Sequence, residues 1–180
     1  YYRKMNFHFR INVNNQLGIG HLMRTFRLAK RLKKIGHKCF FYLDYQNKFV
    51  YLLKDFKVIY LYQNIYGYKN QIKDAEILLT KIKTNKNFVV VDDYRLGEKW
   101  ERKISSANFK IIVIDDLINK KHFADIYINA KPDFYLDSNY NKENILNKNC
   151  KILIGPKYSI IDCSKEKKLK KNKFNLLFYN

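Results

Sequence analysis

The chain has 180 residues and is 47% apolar, which suffices for one domain with a hydrophobic core and is too short for two full α/β domains. No apolar run approaches the roughly 20 residues that span a bilayer, and the first residues lack the features of a signal peptide, so we expect a cytoplasmic protein without stable membrane insertion. The net charge of +20 comes from lysines spread over the whole length beside many Asn, Ile and Tyr, and we attribute it to compositional bias rather than to a nucleic-acid partner.

The N-terminal part of the chain predicts a strand, a glycine-containing loop and a helix, in that order. Residues 6–13 alternate apolar and polar side chains, which is the period of a strand. A turn-rich stretch with Gly18 and Gly20 follows, and from His21 the apolar residues recur at helical spacing. Gly36 is placed to end this helix at its C′ position.

The alternation of strands and helices continues along the chain. The sequence predicts further strands at 37–43, 57–61, 87–91, 110–114, 126–128 and 151–154, and helices at 48–54, 69–83 and 98–107. Strands such as 88–91 and 111–114 are apolar without alternation, which is typical of strands buried on both faces. We therefore predict an α/β fold with a Rossmann-like, mainly parallel sheet between helices.

The composition of the chain predicts how it is divided. We expect residues 6–161 to form this α/β domain, preceded by an N-terminal extension at 1–5 in which Met5 is a candidate start. Residues 162–173 are rich in lysine and predict a linker. Residues 174–180 resemble the first strand of a second, truncated domain.

The sharpest motif is the segment 18–24, which places His21 and Arg24 at the start of a helix directly after a flexible loop. A helix N-terminus presents free N–H groups and partial positive charge, so it favours a phosphate or a developing anion. Because the same dipole disfavours an imidazolium, we expect His21 to stay neutral near pH 7 and to act as a general base. The alternative is an ordinary turn in which His21 only caps the helix.

Two acidic pairs follow predicted strands. Asp92 and Asp93 come after 87–91, with Tyr94 next to them, and Asp115 and Asp116 come after the strand that ends at 114. Ligands of open α/β sheets bind at the carboxyl ends of the strands, so we expect Tyr94 and at least one of Asp92 and Asp93 to face the site. The alternative for both pairs is capping of the next helix.

Other polar residues receive a structural interpretation. His122, Asp125 and Asn129 surround a short strand and read as satisfied structural residues. The cysteines stand at no metal-ligand spacing and predict reduced thiols: Cys39, Cys150 and Cys163. We predict no metal and no cofactor.

The motifs, in this order, resemble the nucleotide-sugar hydrolases of pseudaminic acid biosynthesis, which act on UDP-2,4-diacetamido-2,4,6-trideoxy-β-L-altropyranose. The matching segments are 9–10, 18–24, 90–94, 114–117, 122–129 and 154–161. The resemblance implies the two-domain GT-B architecture, of which this chain is the N-terminal domain. It also implies hydrolysis of a UDP-sugar to UDP and free sugar with inversion at the anomeric carbon, in the glycosylation of bacterial polysaccharide or flagellin.

The resemblance assigns roles to residues of this chain. His21 takes the position of the general base, and Tyr94 matches a tyrosine that lines the sugar site. The substrate-binding residues that it implies are Asn12, Gly18, Gly20, Arg24, Asp92 and Tyr94. Asn12 stands where the family usually has an aspartate. Since the nucleotide-binding domain is missing beyond 174–179, we expect this chain to be inactive unless another chain completes it, and otherwise to be a monomer.

Two other functions stay open at this point. A GT-B glycosyltransferase would use an acceptor hydroxyl in place of water, and an exposed apolar patch beside the glycine loop would favour it. A non-catalytic basic binding module would bind arbitrary DNA in a salt-sensitive manner. The predicted partner is a UDP-sugar, with no nucleic acid.

Overall fold

The computed structural model describes residues 4–13, 19–64, 66–83, 87–117, 119–131 and 143–161. In this part of the chain, seven strands form one sheet, and every neighbouring pair is parallel. The strands are β1 (Asn6–Ile11), β2 (Lys38–Leu43), β3 (Lys57–Tyr60), β4 (Asn87–Asp92), β5 (Lys110–Ile114), β6 (Ile126–Asn129) and β7 (Lys151–Ile154). The α-helices are α1 (Gly20–Lys34), α2 (Gln71–Lys81) and α3 (Glu98–Ser105). The predicted Rossmann-like α/β fold is confirmed.

The order of the strands places a ligand crevice. The sheet runs β3-β2-β1-β4-β5-β6-β7, so the chain builds outward from β1 in one direction and then from β4 in the other. In open parallel sheets, ligands bind at the carboxyl ends of the two strands where this reversal occurs. The expected site therefore lies where Ile11 ends β1 and Asp92 ends β4.

The sheet is buried on both faces by separate apolar clusters. On one face, Phe9 of β1 packs in the same cluster as Leu22 of α1. On the other face, Trp100 of α3 clusters with residues of α2 and of the central strands. The alternation in β1 reflects two buried faces of different chemistry, because His8 and Arg10 are only 1% and 0% exposed.

Most predicted boundaries hold within two residues, and one element differs in kind. The helix that was expected from His21 begins at Gly20, and Gly36 has the positive φ of 93° that a C′ glycine adopts. The predicted helix at 48–54 is wrong, because the structure has a single 3-10 turn at Val50–Leu53. A second 3-10 turn, Pro156–Tyr158, follows β7.

Several predictions fall outside the described residues: those on Gly18, on Cys163, on the linker at 162–173 and on the strand at 174–180. Cys39 and Cys150 are free thiols, and burial raises the pKa of Cys39 to about 12. Among the described helices, none combines the length and the apolar character that crossing a membrane requires.

Candidate active site

No side chain of the described residues caps the start of α1. Ile19 occupies the N-cap position without a capping side-chain hydrogen bond, and the first turn holds no acidic residue. Gly20 is exposed, and a Cβ added to it would meet no described atom within 4 Å. Among the described residues, no acidic side chain offsets the partial positive charge of the N–H groups in this turn, a charge that favours an anion.

His21 lies in this first turn and is paired with Asp92. Nδ1 of His21 donates a hydrogen bond to Oδ1 of Asp92, and the two side chains are almost fully buried. The ring of Tyr94 meets the imidazole edge-on, with the ring centroids 4.5 Å apart. Nε2 of His21 has no hydrogen-bond partner among the described residues. One ring nitrogen is thus fixed while the other is available to a reacting group.

The electrostatics of His21 correct one expectation from the sequence. Burial disfavours the imidazolium, but the hydrogen bond to the Asp92 carboxylate and the charge of that carboxylate outweigh it, so the pKa of His21 is raised above its ordinary 6.5. Arg24 opposes this rise only in part. The sequence alone predicts a neutral histidine near pH 7, because the helix N-terminus disfavours an imidazolium. The carboxylate in contact dominates because a full charge at hydrogen-bond distance outweighs the partial charge of a helix end.

Arg24, one turn further along α1, bridges two strand ends. Its Nε and Nη2 donate to the carboxylate of Asp92 at 2.5 and 2.6 Å, and its Nη1 donates to Asp116. Asp116 follows β5, the neighbour of β4, and was not in the predicted site. In the sequence, the place of Asp116 directly after a predicted strand is the feature that could have indicated a site residue. Because two carboxylates hold the guanidinium, Arg24 orients Asp92.

The sequence left open which residue of the pair 92–93 faces the site, and the structure separates them. Asp92 contacts His21, whereas Asp93 accepts hydrogen bonds from Arg95, the closest at 2.6 Å, and lies 3.7 Å from Arg10. Asp93 is buried, which disfavours its charge, but the two arginines outweigh this and hold its pKa below the ordinary value. Asp93 therefore belongs to a structural charge network on the other side of β4.

This network is centred on Arg10, whose side chain is fully buried. Arg10 donates to Asp74 at 2.6 and 3.0 Å and to Asp44 at 2.6 Å. Arg95 also binds Asp44, at 2.8 Å, and its guanidinium lies 4.4 Å from the centre of the Tyr68 ring. The loop that carries Tyr94 is thereby tied to β1, β2 and α2.

A second buried histidine has a different environment. Nδ1 of His122 lies 2.6 Å from Glu101, and Nε2 lies 3.1 Å from Asp115, which also contacts Lys120 at 3.0 Å. Burial opposes the charge on His122, but the two carboxylates raise its pKa, while burial of Asp115 is outweighed by His122 and Lys120, which lower its pKa. With both ring nitrogens occupied, His122 is structural, as the sequence had indicated.

Asn12 and Asn129 lie at the carboxyl ends of β1 and β6. Asn12 is 4% exposed, and its backbone N–H donates to the carbonyl of Asp92 at 3.4 Å. Asn129 is fully buried; its Oδ1 accepts from the N–H of Lys131, while its Nδ2 has no partner in the described part of the chain. A buried amide donor without a partner is uncommon and is a candidate contact for a bound polar group. No group of three or more His, Cys, Asp or Glu side chains within the described ranges is arranged to hold a metal ion.

The structure thus brings together His21, Arg24, Asp92 and Tyr94, with Asn12 and Gly20 beside them. No protein-family model and no curated protein matches the chain. The fold is similar to the solved structure of a glycosyltransferase from Rickettsia africae ESF-5, with a TM-score of 0.55 and 16% sequence identity. The match covers 85% of this chain and 43% of the glycosyltransferase, so this chain spans less than half the length of that protein. At this identity, the likeness shows that the two chains share a Rossmann-like α/β fold.

Proposed function

We propose that this chain is the base-bearing domain of a GT-B enzyme that hydrolyses a UDP-linked diacetamido-trideoxy sugar in pseudaminic acid biosynthesis. The observation that carries the proposal is the pair of His21 and Asp92 at the strand reversal of the sheet, with Nε2 of His21 unengaged by any described residue. The fold shared with a glycosyltransferase and the order of the sequence motifs support it.

In the proposed reaction, Nε2 of neutral His21 removes a proton from a water molecule as the water oxygen attacks the anomeric carbon. The bond from that carbon to the UDP oxygen breaks, and UDP leaves with the bonding electrons. Asp92 keeps Nδ1 protonated and stabilises the imidazolium that forms, as a carboxylate behind a catalytic histidine does. No separate acid is needed, because UDP is a good leaving group whose charge is stabilised by positive groups.

The surrounding groups have separate tasks in this proposal. The N-terminus of α1, which no described side chain caps, attracts negative charge, and the half-buried ring of Tyr94 contacts the sugar. Arg24 is neutralised by Asp92 and Asp116, so it is a weak binder of diphosphate. Most of the contacts to UDP therefore come from a second domain, which is consistent with a match to only 43% of the glycosyltransferase chain.

The test is release of UDP from UDP-2,4-diacetamido-2,4,6-trideoxy-β-L-altropyranose. We expect a negligible rate from the 180-residue chain and turnover from a form that also contains an intact nucleotide-binding domain. In that form, His21→Ala should lower the rate about 10²–10⁴-fold. The matched control is His37→Ala, because His37 contacts Met5 and Phe7 away from the site. An unchanged rate in His21→Ala would show that another group is the base.

Transfer of the sugar to an acceptor is the second candidate. The glycosyltransferase with the shared fold favours it, as does Ile19, which is 41% exposed at the start of α1. The same assay separates the two reactions. Release of UDP and free sugar in buffer alone indicates hydrolysis, whereas release that requires an added acceptor indicates transfer.

A further inference from the structure

A cavity lies on the α2 side of the sheet, away from the candidate active site. Its volume is about 560 Å³, and it is lined by residues of β1, β2, β3, the C-terminal end of α2 and the segment that follows α2. His8 of β1 lines this cavity and precedes Asn12 by four residues, a distance of about 13 Å along an extended strand. The cavity is therefore at the opposite end of the strands from His21.

The floor of the cavity is aromatic, and Phe40 is its partly exposed ring, since His8 and Tyr42 are only 1% and 2% exposed. The His8 ring stacks on Phe40 with centroids 5.2 Å apart and planes 13° apart, and Tyr42 follows at 5.6 Å from His8. Nδ1 of His8 and the hydroxyl of Tyr42 are hydrogen-bonded at 3.0 Å. Burial lowers the pKa of His8 to about 4, so the imidazole is neutral near pH 7 and adds no positive charge to the floor.

The walls of the cavity are cationic. Lys57, Lys81 and Lys83 line it, and no carboxylate from the described part of the chain does. None of these three lysines forms an ion pair with a described acidic residue. The partial negative charge at the end of α2 offsets only part of this, because a helix end carries about half an elementary charge.

We propose that this cavity binds a planar aromatic ligand that carries a phosphate or a carboxylate group. Its volume lies within the range of small-molecule sites, roughly 300–1,000 Å³. The partly exposed ring of Phe40 offers an aromatic contact, and the lysines offer the charge that an anionic group needs when it leaves water. The proposal does not depend on the reaction proposed for His21, since no residue of that site lines the cavity.

The probe for the test is 1-naphthyl phosphate, with inorganic phosphate and 1-naphthol as its separated halves. Calorimetric titration should show that 1-naphthyl phosphate binds more tightly than either half. The chain has four histidines, so their ring signals can be followed individually by NMR. We expect the signal of His8 to shift while that of His21 does not. A shift of His21 without His8 would place the ligand in the candidate active site and overturn the proposal.

Two variants test the walls by different means. Lys81→Glu reverses one charge, and Thr80→Trp introduces bulk at the exposed rim of the cavity. Each should raise the Kd for 1-naphthyl phosphate roughly tenfold or more, because a charge-assisted contact or the space for the ring is lost. Lys99→Glu is the matched control, since it changes the net charge equally from an exposed position on α3. An equal loss of affinity in Lys99→Glu would show that binding follows overall charge and would overturn the proposal, as would unchanged affinity in both cavity variants.

Discussion

Two buried histidines of this protein contact carboxylates, and they differ in what remains free. His122 lies between Glu101 and Asp115 and uses both ring nitrogens. His21 uses Nδ1 toward Asp92, and its Nε2 meets no polar partner in the described residues. The pKa of each histidine is raised. A shifted pKa therefore does not distinguish the candidate base from the structural histidine; the accessible nitrogen does.

The carboxylates that contact the two histidines also differ in their other partners. Asp92 keeps a second cationic partner in Arg24 when His21 changes. Glu101 contacts His122 and the backbone N–H of Phe123, so it has no second cationic side chain among its described contacts. The candidate site is therefore built to tolerate changes in the charge of its histidine, whereas the His122 cluster is not.

The largest expected effect is on catalysis and comes from Asp92→Asn. Without the carboxylate, the imidazolium loses its stabilising charge, so the rate of UDP release by the two-domain form should fall roughly 10²–10⁴-fold. The pKa of His21 should also fall, and the acidic limb of the pH–rate profile should move to lower pH. The profile should be measured from pH 5 to 9.

Asp116→Asn is the control for that prediction. Asp116 contacts Arg24 and not His21, so its loss should leave the acidic limb nearly in place. Equal displacement of the limb in both variants would mean that overall charge, rather than the His21–Asp92 contact, sets the pKa.

The second effect is on stability and compares matched variants at the two histidines. His122→Leu leaves Glu101 buried without its cationic partner and should lower the free energy of unfolding by about 3–5 kcal/mol. His21→Leu should lower it by only about 1 kcal/mol, because Arg24 still pairs with Asp92. Urea denaturation measures both, and similar losses would contradict the distinction between the clusters.

The third effect is the pH dependence of the His122 contribution. Since the pKa of His122 is raised on folding, its stabilisation is fully present below the unfolded pKa of 6.5 and is lost as the pH rises through the folded pKa. Each unit of difference between the two pKa values corresponds to about 1.4 kcal/mol. The stability difference between wild type and His122→Leu should therefore shrink between pH 6 and pH 9. A constant difference would indicate that His122 is bound in its neutral form.

The smallest effect concerns the buried amide of Asn129. Asn129→Leu removes a donor that has no described partner and an acceptor that binds Lys131, so the stability should change by no more than about 1 kcal/mol. If a substrate takes the Nδ2 donor, KM for the UDP-sugar should rise while stability holds. Asn147→Leu is the comparison. Nδ2 of Asn147 donates to the carbonyl of Ala124, so its loss should lower the free energy of unfolding more. A stability loss in Asn129→Leu as large as in Asn147→Leu would argue for a purely structural amide.

The sequence predicted most elements because their signals are local. The apolar runs at 88–91 and 111–114 are strands buried on both faces, and the C′ position of Gly36 is confirmed. The segment at 48–54 failed as a helix, because a short helical pattern does not distinguish an α-helix from one 3-10 turn. The position of His21 in the first turn of a helix also followed from the sequence.

The tertiary structure decides which charged side chains pair with each other. Arg10 and Asp74 are 64 residues apart in the chain, and His21 and Asp92 are 71 apart, so no local pattern links them. Spacing could place Asp92 and Asp93 at a strand end, but only the sheet shows that one faces His21 and the other faces Arg10. The sequence determined the strands, the helix start and the residue types at the strand ends, since these depend on neighbours along the chain. Charges and rings brought together from distant strands decide the direction of the His21 pKa shift, the difference between His21 and His122, and the aromatic floor of the cavity. Only the folded chain sets the distances between these groups.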